Sequence, residues 1–416
     1  MYCGLDFGTS NSTLGATDAS GAPVLLPIEG DHLTIPSAVF FDFEQDRTLF
    51  GRAAVTAYVG GADGRLLRAL KSILGSDLMA ESIRVKRRIL PFAEIVGMFV
   101  RELRQRGEMS LGKPLDQVVV GRPVRFVDDD DAADARAQHQ LETIVHASGF
   151  RQVEFQYEPI AAALDYERQV THEELGLVID LGGGTSDFSV VRVAPERRQA
   201  GDRQRDILAT AGVHIGGTDF DRLLSMARAM PELGLGSPTL DGKRLLPVAP
   251  YYDLSTWHRI NRLNSAQALR ELHQTEREAR YPRRVAAMRS IVANREGHRL
   301  AGAVEAAKVA LTEDETAQVD FHGEDISLVL PVTREQLAAA ILRTIDRIMA
   351  TIATTLSLAG IDAGRIETLI LTGGSTQIPA IMARLREAFP AARLVETDAF
   401  GSVGLGLALD AARKFG

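Results

Sequence analysis

The stretches LDFGTS (residues 5–10) and VIDLGGGTSD (residues 178–187) decide the reading of this chain. Each is an apolar strand ending in aspartate, then a glycine turn carrying hydroxyls, then a second apolar strand at 12–16 or 188–193, so each predicts a strand-turn-strand hairpin. Glycine removes the side chain that would keep a phosphate off the backbone. Successive N–H groups, with the hydroxyls of Thr9, Ser10, Thr185 and Ser186, then form a cradle for an anion. Asp6 and Asp180 beside such an anion would repel it unless a cation intervened, and Mg2+ is the usual bridge between carboxylate and polyphosphate. A single turn of this kind is common in purely structural hairpins. Its recurrence with matched Asp and Thr positions points to a two-sided phosphate clamp.

The 416 residues, 45% hydrophobic and 25% charged, are globular in composition and too many for one simple core, so two lobes are expected. A net charge of −8 provides no overall basic field to draw nucleic acid or anionic lipid; any polyphosphate must be held locally. No stretch approaches the ~20 apolar residues that span a bilayer, and the N-terminus lacks a basic region followed by a long apolar run. The one cysteine, Cys3, cannot form an internal disulfide and reads as a small core residue in a reducing compartment. A soluble, cytoplasmic chain with no nucleic-acid or membrane partner is expected.

Between the hairpins, residues 37–113 read as a mixed region inserted into the first lobe, with Lys71 inside RALKSILGS. LDQVVVGRP (115–123) resumes the sheet. The acidic run Asp128, Asp129, Asp130 and Asp131 opens an alanine-rich helix reaching Ala147, with Gly149 ending it; charge there complements the helix dipole rather than marking a metal site. RQVEFQY (151–157) reads as a strand, and Glu158 and Pro159 open a helix. The first lobe is expected at 1–170 and the second at 171–416, the latter with an insertion at about 225–312. AGVHIGGTDFDRLL (211–224) predicts a glycine turn leading into a helix. From Arg259 to Arg299 ten arginines accompany four acidic residues, Glu271, Glu276, Glu278 and Glu296, around apolar positions such as Ala286, Ile291 and Val292, which predicts a solvated helical pair. Thr333 and Gln336 have capping-box spacing ahead of a stripe of Leu337, Ile341, Ile345, Ile348, Ile352 and Leu356 that reads as core. TLILTGGSTQIPAIMARL (368–385) predicts a strand, a glycine pair and a helix whose N-terminus favours anions. The small residues of a last helix, 402–412, suit close packing across a lobe junction.

LDFGTSNS, YEPIAAALDYE, VIDLGGGTSDFSVV, GGTDFDR and LTGGSTQIPAI come in the order found in the ATPase domain of the seventy-kilodalton heat-shock proteins, and from Leu5 to about Ala412 the chain resembles these DnaK-like chaperones. The resemblance is weakest between 225 and 300. It implies an α/β, actin-like ATPase fold of the actin and sugar-kinase superfamily. Two lobes, each on a ribonuclease-H-like mixed sheet with an inserted subdomain, would surround a nucleotide cleft, and the C-terminal helix would pack at their junction. The chain stops where those chaperones begin their linker and peptide-binding domain, and looks like the short, YegD-type relatives made of the ATPase module alone.

The resemblance implies ATP or ADP and Mg2+ as cofactors. Asp6 and Asp180 match the metal-holding aspartates, and Gly8, Thr9, Ser10, Asn11, Gly182, Gly183, Gly184 and Thr185 match the phosphate turns, with Thr185 also counted as catalytic. Gly216 and Gly217 match a further phosphate turn; Gly373, Gly374 and Ser375 match the adenosine turn; Glu305, Lys308 and Thr312 match the ribose and adenine side. Lys71 matches the catalytic lysine, whose ammonium stabilises the γ-phosphoryl charge and orients the attacking water. Glu158 and Asp187 match carboxylates beside that water, and one of Asp180, Glu158 and Asp187 accepts its proton. Val309 and Gln377 stand where the family usually carries arginines that sandwich the adenine, a loss of roughly 1 kcal/mol of base binding each. The function implied is a monomeric, ATP-hydrolysing, chaperone-like module whose lobe closure is read by an unidentified protein partner. The alternatives are a small-molecule kinase on the same fold, for which no sugar-site signature is present, and a nucleotide-binding regulator with little turnover. An actin-like filament former has no support in these residues.

Overall fold

The first hairpin forms the centre of a mixed sheet. In the computed structural model, which describes every residue except 128–129, 198–199, 201–202 and 397–400, β1 (Tyr2–Phe7) pairs antiparallel with β2 (Asn11–Thr17). Beyond β2 lies β3 (Pro23–Leu25), with a short strand Ile35–Pro36 also on β2. On the other side β4 (Gln117–Arg122) and β5 (Gln152–Tyr157) run parallel to β1, giving the order β5-β4-β1-β2-β3. The second hairpin is the centre of another sheet in the same way. There β6 (Glu174–Leu181) pairs antiparallel with β7 (Ser186–Val193), which pairs with β8 (Ile207–Val213). Parallel to β6 run β9 (Thr368–Thr372) and β10 (Arg393–Glu396), giving β8-β7-β6-β9-β10. One wiring is thus used twice. The mixed α/β class expected from the sequence is what the chain adopts.

Residues 38–68 fold as a separate three-stranded sheet, Ala38–Asp42, Arg47–Phe50 and Gly64–Arg68, with helix α1 (Gly51–Val59). Of the acidic run, Asp128 and Asp129 lie outside the described residues; Asp130 caps helix α2 (Asp131–Ala147), its carboxylate accepting the Ala133 N–H at 2.9 Å. Gly149 follows with φ +107°, which suits glycine after a helix end. Helix α3 (Glu158–Glu167) follows β5, and α4 (Gly217–Leu224) opens at the glycine pair Gly216 and Gly217. The arginine-rich segment forms the expected helical pair, α5 (Ala266–Glu278) and α6 (Pro282–Ala293), followed by α7 (Gly297–Glu313). Helix α8 (Arg334–Ala359) carries the capping box of Thr333 and Gln336 and buries its whole predicted stripe. Helix α9 (Pro379–Ala388) follows β9.

The last helix, α10 (Ser402–Phe415), runs further than the predicted 402–412. It packs with α3 between the two sheets, in a cluster that joins Val119 of β4, Ile160 and Ala161 of α3, Val178 and Val191 of the second sheet, and Leu407 of α10. Backbone meets backbone here. A Cβ on Gly4 would lie 2.4 Å from the Leu407 carbonyl carbon, one on Gly15 2.4 Å from Gly404 O, and one on Gly406 1.8 Å from Ala161 O. Cys3 of β1 is fully buried, and burial above all pushes its thiol up to about 12. Among the described residues no helix is long and apolar enough to cross a membrane.

Candidate functional site

The two hairpin tips face each other across one cavity of about 990 Å3. Ser10 of the first tip lies against Gly183 of the second, so closely that a Cβ on Gly183 would stand 1.9 Å from Ser10 Oγ. Each tip is held from behind. Ser37 donates its N–H to Ser10 O at 2.8 Å and its hydroxyl to Gly8 O at 2.7 Å. Gly217 and Thr218 donate their N–H groups to the Gly182 and Gly183 carbonyls at 3.0 and 2.9 Å, and the Thr218 hydroxyl adds a second bond to Gly183. With the carbonyls tied down, the amides of Thr9 and Gly183 donate to no acceptor among the described residues. An oxyanion would satisfy them.

Asp6 and Asp180 hold the same station, next to last in their strands, paired across the hairpin with Thr13 and Asp187. Both line the cavity, together with Glu158 and Asp187. Burial, then the charge of Glu158, pushes the Asp6 carboxyl up to about 7 against the pull of Lys71. Burial, then Asp187, Glu158 and Asp6, holds Asp180 well above the usual carboxylate range. Lys71 stands in a single 3₁₀ turn, Leu70–Ile73, and its ammonium donates to Glu158 Oε1, the two side chains being 10% and 15% exposed. Burial works to lower its pKa, but Glu158, Asp6 and Asp180 outweigh it, so Lys71 is raised and stays charged. Four carboxylates against one ammonium leave this floor short of positive charge, which fits a divalent cation. Among the described residues no three His, Cys, Asp or Glu are arranged to wrap a metal directly. Mg2+, which keeps most of its water shell, needs only one or two carboxylates.

The third glycine turn closes the next part of the wall. Gly373, with φ +82°, comes so near the second hairpin that a Cβ would lie 2.3 Å from Leu181 O and 2.8 Å from Asp180 Oδ1. Gly217 is comparably close to Ser375 Oγ, at 3.0 Å. Lys308 of α7 donates to Gly217 O at 3.4 Å and pairs with Asp221 at 2.7 Å, while burial still pushes the Asp221 carboxyl up to about 6. Glu305, Lys308 and Thr312 of α7 line the cavity with Gly373, Gly374 and Ser375, as do Gly8, Thr9, Ser10, Asn11, Gly182, Gly183, Thr185 and Gly217 nearer the floor. Three predicted residues do not, and the first is Ser186, whose buried hydroxyl donates to Ile215 O at 2.7 Å instead of facing the cradle. Gly216 packs behind the second tip, its Cβ position 2.4 Å from Gly183 C and Gly184 N, and Gly184 is not among the lining residues. A smaller cavity of about 350 Å3 shares Glu158, Asp180 and Asp187 and adds Ser189 and Thr210.

Sequence reasoning missed a group of rings at the cavity's other end. His298 of α7 stands edge-on to Tyr58 of α1 at 4.7 Å and to Trp257 at 4.8 Å, and its Nε2 lies 3.1 Å from the Trp257 carbonyl oxygen. Tyr58 donates its hydroxyl to Asn261 Oδ1 at 2.8 Å, and the Arg68 guanidinium lies over Trp257 at 4.8 Å. Burial, and then the Arg68 charge, lowers His298 to about 4 despite the carbonyl contact. The folded state therefore holds His298 neutral where the unfolded chain protonates it at the ordinary histidine value of 6.5. Its contribution to stability is complete above that pH and is lost as pH falls towards 4, up to ~3 kcal/mol. Unfolding measured from pH 7 to pH 4 should lose less stability in His298→Gln than in the parent; equal losses would show that His298 is not the titrating group.

The family model described as Hsp70 protein matches residues 2–229 and 288–414, leaving unmatched the stretch that holds Trp257 and α5. The chain is similar to Chaperone protein DnaK 3 of Synechococcus sp., at 26% identity over 408 residues, 93% of this chain and 53% of the relative. It is similar to the Chaperone protein HscA homolog of Shewanella denitrificans at 27% over 433 residues, 99% and 58%. It is similar to Chaperone protein DnaK of Thermus thermophilus at 25% over 413 residues, 92% and 56%. The chain thus spans little more than half the length of these relatives. With more than half of its residues matched in order, this chain belongs to the Hsp70 protein family.

Proposed function

We propose that this chain is an ATP-binding, Mg2+-dependent ATPase module of the chaperone type. Its two lobes, residues 1–170 and 171–416, with insertions at about 37–113 and 225–312, would close on the nucleotide. One observation carries the reading: the two Asp-Gly hairpins meet tip to tip, Ser10 against Gly183, over a floor of Asp6, Asp180, Glu158 and Lys71. Family membership supports it. Thr9, Ser10, Gly182, Gly183 and Thr185 bind the β- and γ-phosphates through amides and hydroxyls, and Asp6 and Asp180 hold hydrated Mg2+, which when bound offsets phosphate charge. Gly373, Gly374, Ser375, Glu305, Lys308 and Thr312 take the adenosine end. Lys71, pinned by Glu158, sets its ammonium against the charge that grows on the γ-phosphoryl group and orients the water. Asp180, whose carboxyl burial and then the charge of Asp187 hold above the usual range, takes the water's proton. Because both hairpins touch the phosphates, loss of the γ-phosphate removes contacts that hold the lobes together, and the surface offered to a protein partner changes.

The test is equilibrium binding of ATP and ADP with Mg2+, then phosphate release by the parent chain and by Lys71→Ala. The parent is expected to bind both and release phosphate, and Lys71→Ala to release it at least ~100-fold more slowly. ATP binding without any release by the parent would remove the hydrolase reading. The smaller cavity behind Glu158, Asp180 and Asp187 favours one other reading, a small-molecule kinase with its acceptor there. Transfer of phosphate to added sugars or acids, with none to water, would establish that reading instead.

A further inference from the structure

Arg68 is the charged member of the ring cluster, and its side chain has no protein acceptor among the described residues. It is the last residue of the strand Gly64–Arg68, Trp257 opens the turn Trp257–Leu263, and both residues line the cavity. Arg68 is withdrawn from most solvent, yet among the described residues it makes no hydrogen bond and no ion pair. A guanidinium carries five N–H donors, and these stand free at the cavity wall to meet an acceptor that enters it.

The charges around Arg68 say where in the cavity that acceptor lies. Arg68 feels Glu305 and Asp221, whereas Glu158, Asp6 and Asp180 act on Lys71. Arg68 therefore stands beside the Glu305 wall, on Trp257, rather than over the floor of Asp6 and Asp180. At that end Val309 is 56% exposed, Gln377 carries no charge, and Gly302 leaves the face of α7 bare, with nothing within 4 Å of its Cβ position. A flat heteroaromatic ring suits such walls. A guanidinium already seated on an aromatic face presents its other face for stacking and its edge for hydrogen bonds to ring nitrogens and exocyclic oxygens.

We propose that Arg68, backed by Trp257, recognises the base of a nucleoside di- or triphosphate in this cavity. This assignment rests on the nucleotide reading of the same cavity and supplies its base-specific contact. Since Arg68 and Trp257 come from segments far apart in the chain, base binding also ties those segments together.

Trp257 is the one tryptophan of the chain, so its emission reports on this end alone. The full chain, Arg68→Ala and Arg68→Lys are titrated with ATP, ADP and inorganic triphosphate, each with Mg2+, by calorimetry and by Trp257 fluorescence. Both nucleotides should change the emission and triphosphate should not. Arg68→Ala should weaken ATP and ADP roughly tenfold while triphosphate affinity stays within about twofold. Arg68→Lys, which keeps the charge but not the planar fork, should recover only part of that loss. Arg68→Gln replaces the alanine variant if that protein folds poorly. An equal loss for all three ligands would assign Arg68 to the phosphates or to the fold, and an unchanged ATP affinity would take it out of the site; either overturns the proposal. A parent chain that binds triphosphate and no nucleotide better than triphosphate overturns it too. Failure to bind all three ligands would instead bring down the nucleotide reading itself, and this assignment with it.

Discussion

An Asp180→Asn chain should release phosphate from ATP at least ~100-fold more slowly than the parent, with its fold intact. The asparagine keeps the shape that fits beside Gly373, whose Cβ position lies 2.8 Å from Asp180 Oδ1. It loses the charge that would hold a hydrated metal and the basicity that would take a proton. The same change relieves repulsion, because Asp187, Glu158 and Asp6 all act against an ionised Asp180. The ligand-free variant should therefore unfold at the same temperature as the parent or above it. Slow turnover with undiminished stability separates a role in the reaction from a role in packing; turnover near that of the parent would end the assignment.

The second large effect concerns the fold. Gly406→Ala places a methyl group 1.8 Å from Ala161 O and 2.5 Å from Ala161 C, both backbone atoms that no rotamer change can move. Helices α3 and α10 must separate, and the cluster between the two sheets opens with them. Overpacking of this kind costs about 3 kcal/mol or more when backbone has to shift. Denaturant unfolding should show it as a lower midpoint with an unchanged slope. A loss below ~0.5 kcal/mol would mean that the two helices are not in this contact in solution.

What could be read from the sequence depended on how local the signal was. The hairpins were legible because the aspartate, the glycines and the hydroxyls that make each one lie within ten residues. The capping box of α8 and the acidic cap of α2 were legible for the same reason. Lys71 was not legible from its surroundings: nothing near it in sequence announces a buried ion pair with Glu158, 87 positions away, and only the resemblance singled it out. Gly216 and Gly217 look interchangeable as letters, yet the path of the chain turns one against the back of a hairpin and the other towards the cavity. The ring cluster left no local trace at all. Tyr58 and Asn261 are 203 positions apart, and Arg68 and Trp257, far apart in the chain, meet only in the folded protein.

The sequestered sulfur of Cys3 makes this chain a ready chassis for spectroscopic labelling. A thiol with no solvent contact and a pKa near 12 does not react with maleimides at neutral pH, so any reporter attached afterwards reads out only the position chosen for it. Two introduced surface cysteines, one beside Tyr58 and one beside Trp257, would serve as a ruler across the opening with no background from the native chain.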